Sequence, residues 1–193
     1  MAIHNTERSG RGPRKRARGF TLVEIALLTV ILLVAVGGLS GAVVSAIQLS
    51  RATEETAIAD DAARAMAAQF ALTPFDELFA TYNADPGDDP DGQGTAPGEH
   101  FVVAGLAPRR DDADGRVGRI FMPAVDIAGG PAQSLQEDFV EPRWGMPRDL
   151  SGDTFVDSDD HKDDYIALPV TVRLEWVGPG GSRSLQVDLL LVP

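Results

Sequence analysis

Oxygen-bearing side chains recur at Asp149, Ser151, Asp153, Asp157 and Asp160, the first, third, fifth, ninth and twelfth places of one run. That spacing can wrap a hard divalent cation. Calcium takes about six to eight oxygen ligands at roughly 2.3–2.6 Å, and the seventh residue, Phe155, would add its backbone carbonyl. A second carboxylate, Glu24, stands alone at the start of a long apolar run. An acid at mid-bilayer costs roughly 2.5–3.5 kcal/mol on insertion scales, so it asks for a partner that lipid does not supply. His161 and Asp164 also have a conceivable metal spacing, but a histidine beside Lys162 reads as exposed and solvated.

The run from Asp149 to Asp160 resembles an EF-hand-type loop, and more closely a dockerin-like loop, which ends in Asp instead of a bidentate Glu. Thr154 stands where glycine makes the sharp turn, and the flanks carry no clear helical pattern. A solvated acidic loop therefore stays open beside the calcium reading and is the favoured one of the two. Against it, Asp149, Asp153, Asp157, Asp159, Asp160, Asp163 and Asp164 would repel one another strongly without a cation.

The elements that must position these groups begin at the N-terminus. Arg8, Arg11, Arg14, Lys15, Arg16 and Arg18 precede Gly19 with one acid, Glu7, among them, and no charged side chain occurs from Ile25 to Ser50. A helix rising about 1.5 Å per residue over that run crosses a hydrocarbon core of about 30 Å. The basic leader keeps the N-terminal end cytoplasmic and places everything after Arg51 on the far side of a single membrane pass. A cleavable export signal is the weaker alternative, because its apolar core typically spans only about 7 to 15 residues.

Gly19, Phe20, Thr21, Leu22, Val23 and Glu24, at the junction of leader and apolar run, resemble the processing site of type IV prepilins and type II secretion pseudopilins. The resemblance implies cleavage between Gly19 and Phe20 by a prepilin peptidase and N-methylation of Phe20. It further implies assembly with other pilins or pseudopilins, on an inner-membrane platform, through the apolar helix. Glu24 becomes the fifth mature residue, whose carboxylate in the family faces the N-terminal amine of a neighbouring subunit. Gly41 stands where many pilins carry proline, and the acidic loop with the closing strands is similar to minor rather than abundant subunits.

Past the apolar run, Ile58, Ala62, Met66 and Phe70 recur every four residues while Glu54, Glu55, Asp60, Asp61 and Arg64 take other faces. One helix from about Phe20 to about Leu72 is expected, stopped at Thr73-Pro74. Residues 51–72 form its amphipathic continuation, and 73–193 form a small extracytoplasmic head. Residues 85–98 read as a surface loop, and His100–Ala107 and Arg116–Ile127 contain short strands. Val170, Val172, Leu174 and Trp176 alternate with polar residues, as do Leu185, Val187, Leu189 and Leu191. With a Gly178-Pro179-Gly180-Gly181 turn this predicts an antiparallel hairpin over about 166–192, its apolar face on the amphipathic helix, hence an α+β fold.

The net charge is −12, and removal of residues 1–19 leaves −17, so phosphate binding to nucleic acid lacks its electrostatic basis. Without cysteine, disulfides, thiolate metal sites and a Cys nucleophile are excluded. No Gly-x-Ser-x-Gly elbow, His-Glu-x-x-His helix or phosphate-cradling glycine loop is present, and catalysis is not expected. The expectation is a structural pilin-like subunit, with a membrane-anchored acidic module that binds calcium or protein as the alternative.

Overall fold

The computed structural model describes residues 19–193 except 128 and 130, so of the expected leader only Gly19 falls within the described residues. Helix α1 runs Leu22–Leu72. The chain divides into two units, Met1–Ser45 and Ala46–Pro193. In the first, every described residue is exposed. Two of its hydroxyls are satisfied within the helix: Thr29 Oγ1 donates to the Ile25 carbonyl at 2.8 Å and Ser40 Oγ to that of Val36 at 2.9 Å. Such back-bonding lets a polar side chain sit in an apolar segment without an outside partner.

In the second unit the fold is α+β. The part of α1 it contains buries Ala52, Ala59, Ala63, Met66 and Phe70, and a short helix α2, Leu78–Tyr82, adds Leu78, Phe79 and Tyr82 to the same core. The helical stripe is centred one residue beyond the Ile58 and Ala62 positions expected from the periodicity, both of which are only partly buried. Small side chains explain the offset. Ala59 and Ala63 are almost without exposure and take the centre of the buried face, and bulkier Ile58 goes to the flank, facing Gly105. Thr73-Pro74 ends α1 as expected, since proline disfavours helical geometry in the residue before it.

The main sheet is antiparallel in the order β1-β2-β5-β6, with β1 His100–Phe101, β2 Gly118–Phe121, β5 Leu168–Gly178 and β6 Gly181–Leu191. The expected hairpin is present over its whole length, from Leu168 opposite Leu191 to Gly178 opposite Gly181. Leu168, Val170, Val172, Leu174 and Trp176 are buried on one face of β5. Trp176 Nε1 donates to Glu55 of α1 at 3.2 Å, and Arg183 donates to the Ala52 carbonyl at 3.1 Å.

The segment between β2 and β5 leaves the sheet and carries a second, two-stranded sheet of β3 Ala124–Asp126 and β4 Gln133–Leu135. It also covers the other face of β5, where Trp144 Nε1 donates to Thr171 Oγ1 at 2.7 Å and Thr171 is buried. The strand expected within His100–Ala107 is only two residues long, because the chain turns between Val103 and Leu106 with Gly105 at φ 90°.

Gly118 lies opposite Phe101 on the neighbouring strand, and a Cβ there would come within 2.3 Å of the ring. Gly118→Ala should therefore destabilise the head by about 1–3 kcal/mol in urea unfolding, and a neutral result would mean that Phe101 is free to leave. Arg143 forks onto Glu141, Nε at 3.0 Å and Nη2 at 2.9 Å. These bonds and the Arg143 N–H lower the Glu141 pKa from 4.5 to about 2. A depressed carboxyl gives stability that is complete above pH 4.5 and lost as pH falls through about 2. Arg143→Gln should return the Glu141 titration midpoint, followed by carbon NMR, toward 4.5, and a midpoint unmoved from about 2 would contradict the pairing.

Candidate functional site

At the start of α1, Gly19 and Phe20 precede the helix and are exposed. Thr21 caps it: Thr21 Oγ1 accepts from Glu24 N–H at 3.2 Å, and the Thr21 carbonyl accepts from Ile25 N–H at 3.1 Å. Glu24 thus holds the third helical position, where a negative charge suits the helix dipole. Among the described residues its carboxylate makes no ion pair. Gly37, Gly38 and Gly41 have nothing within 4 Å of where a Cβ would stand.

In the head, the acidic segment is folded around Leu135–Asp138, which continues from β4. Arg148 N–H donates to the Glu137 carbonyl at 3.1 Å, Asp138 N–H to the Asp157 carbonyl at 3.1 Å, and His161 N–H to the Leu135 carbonyl at 2.9 Å. This wrapping brings the Glu137 side chain inside the segment. Glu137 is fully buried, and its Oε1 accepts from Leu150 N–H at 2.7 Å and Ser151 N–H at 2.9 Å. Its Oε2 is buried without a hydrogen-bond donor among the described residues.

Two groups of potential ligand atoms share Glu137. One joins it to Asp149 and Asp153, the other to Asp157 and His161, each with its atoms within 4.8 Å of one another. Asp149 accepts from Gly152 N–H and, at 2.8 Å, from Thr154 N–H, with Ser151 Oγ at 3.4 Å. The Gly152 N–H foremost, and then that of Thr154, hold the Asp149 carboxyl below its ordinary pKa. Asp153 accepts from Phe155 N–H at 2.8 Å. Thr154, in the place of the turn glycine, has a φ of 77°, a left-handed conformation that a β-branched residue seldom adopts. The Phe155 side chain is exposed.

Asp157 Oδ1 accepts from Asp159 N–H at 2.9 Å and meets His161 Nε2 at 3.1 Å, and both contacts lower its pKa. Asp160 is not brought to either group. Its Oδ1 accepts from Leu135 N–H at 3.0 Å, so the twelfth-place acid ties the loop to β4. The expectation that His161 is exposed is overturned, for it is 6% exposed. Its nitrogens meet Asp157 and Asp164 at 3.1 Å each. Burial opposes its charge, but these carboxylates and the charge of Glu137 outweigh that and raise its pKa.

Glu137 carries no signal in the sequence. It lies outside the loop, and an acid in Leu135-Gln136-Glu137-Asp138 looks like any surface acid. Two clefts, of about 500 and 570 Å³, lie elsewhere, where Arg119 and Arg173 each stand 4.7 Å from the Phe121 ring. Their charges are largely paired already, Arg119 with Glu99, Arg109 with Asp111 and Arg143 with Glu141. Comparison with models of known families, with curated proteins and with solved structures finds no match to this chain.

If Asp160 acts through its acceptor oxygen, Asp160→Ala should lower unfolding stability by about 1–2 kcal/mol and Asp160→Asn by less than half of that. Equal losses in denaturant titration would show that the charge, and not the bond to Leu135, is what matters.

Proposed function

We propose that this chain is a structural subunit, of the minor kind, of a type IV pilus or type II secretion pseudopilus. In this reading prepilin peptidase cleaves after Gly19, Phe20 becomes the methylated N-terminus, and residues 20 to about 50 pack among other pilins or pseudopilins. The head stays on the extracytoplasmic side of the inner membrane, as the positive leader directs.

The observation that carries the proposal is Glu24. Thr29 and Ser40 in the first unit satisfy their hydroxyls within the helix, whereas Glu24 places a carboxylate in the first turn with no cation among the described residues. A new amine at Phe20 of a neighbouring subunit is the partner it fits. Two opposite charges in low dielectric attract strongly, and each offsets part of the other's desolvation. The apolar surface of α1 supports the same reading: a stretch long enough to span a membrane has no buried residue. The glycines at 37, 38 and 41 would let neighbouring helices approach closely.

A membrane-anchored acidic module that does not assemble is the second reading, favoured by the carboxylates gathered at Glu137. Expression with and without prepilin peptidase, followed by mass spectrometry of the N-terminus, tests the proposal. Peptidase-dependent cleavage between Gly19 and Phe20 with methylation of Phe20 is expected, and Glu24→Leu should be inserted and processed yet missing from sheared filaments. An uncut leader would leave the anchored module, and a Glu24→Leu protein that enters filaments like wild type would remove the pairing role given to Glu24.

A further inference from the structure

Glu137 is the one residue of the acidic group whose environment does not account for its charge. A fully buried carboxylate is tolerated when its oxygens are hydrogen-bonded or face a cation. Oε1 meets two N–H groups, but Oε2 is enclosed without a donor among the described residues. His161 approaches the satisfied oxygen, Oε1, at 3.9 Å. The Glu137 carboxylate instead shares its surroundings with Asp149 and Asp153, a ligand atom from each of the three lying within 4.8 Å of the others. Two ligands on opposite sides of a calcium ion, at about 2.4 Å each, stand about 4.8 Å apart.

We propose that the head binds one calcium ion between Glu137, Asp149 and Asp153, with Glu137 as the ligand that closes the site from outside the acidic loop. The twelfth-place acid Asp160, turned to Leu135, leaves the closing role to a carboxylate delivered from the β4 side. The donors are all oxygen and carry three negative charges, which suits a hard cation. Magnesium keeps several waters and is usually held by one or two carboxylates, fewer than the three gathered here. Zinc would favour the neighbouring group with its imidazole, but both His161 nitrogens are engaged by Asp157 and Asp164. The ion would clamp Glu137 to the first part of the loop, two stretches otherwise joined there by backbone bonds to Glu137. This inference concerns the head alone and is independent of the filament reading.

The full chain, stripped of metal in detergent, would be titrated with calcium chloride by calorimetry. Its thermal unfolding would be followed through Trp144 and Trp176, the two tryptophans, in chelator and in calcium. One calcium per chain and a midpoint raised by about 5–10 °C at calcium a hundredfold above Kd are expected. Glu137→Gln keeps an acceptor for Leu150 and Ser151. It should bind calcium at least about tenfold more weakly, the loss caused even by removing a partner behind a ligand, and show little rise in midpoint. Asp153→Asn should behave alike, and it decides alone if circular dichroism shows that Glu137→Gln does not fold. Absence of saturable binding, equal or tighter binding of magnesium or zinc, or undiminished calcium affinity in the folded variants would overturn the proposal.

Discussion

The head depends on one core to which a stripe of α1 and the apolar face of β5 both contribute. Hydrophobic burial scales with the apolar area removed from water, and Ala59 and Ala63 on α1 are nearly as fully enclosed as Leu168, Val172 and Leu174 on β5. Met66 and Phe70 then fill the space toward α2, and Trp176 reaches Glu55 near the hairpin's far end. With β5 seated, β2 and β6 pair along its two edges. The segment between β2 and β5 must leave the sheet and return to it.

That return path places the acids. A strand buried on its first face by helices is covered on its second by Trp144, whose indole bonds Thr171. The chain that carries Trp144 also carries Glu137 and the loop wrapped around it. The energetic consequence is a carboxylate in a dry setting, where an unpaired charge is costly unless something positive meets it. Glu24 presents the same problem in another solvent. There the low dielectric would be lipid, and the local answer, a Thr21 cap and a favourable dipole, leaves the carboxylate itself without a cation among the described residues. Two acids in unrelated settings thus ask for partners of opposite charge, an amine in one proposal and a metal ion in the other.

The arginines of the head follow the opposite rule. Arg109, Arg119 and Arg143 stay at the surface beside their own acids, so their charge is spent within the domain, and Arg119 and Arg173 flank Phe121. Exposed pairs of this kind add little stability, but they leave the acidic excess of the head concentrated elsewhere.

The sequence by itself determined the long helix and its stop, the closing hairpin with its inward residues, the α+β class and the charge-free run that ends at Arg51. These are local: a period near four or of two, and a proline that stops a helix, act over a few residues whatever the remainder of the chain does. It also marked Asp149, Asp153 and Asp157 by spacing alone. The tertiary structure decided that Ala59 and Ala63, not Ile58 and Ala62, lie at the centre of the stripe, because which side of a helix is covered depends on the elements packed against it. It placed β4, three residues with no period to read. It buried His161 and Glu137 and sent Asp160 to Leu135, because those positions depend on how a loop closes around a segment outside its own run. Proximity of that kind is a property of the folded chain and has no signature in the order of its residues.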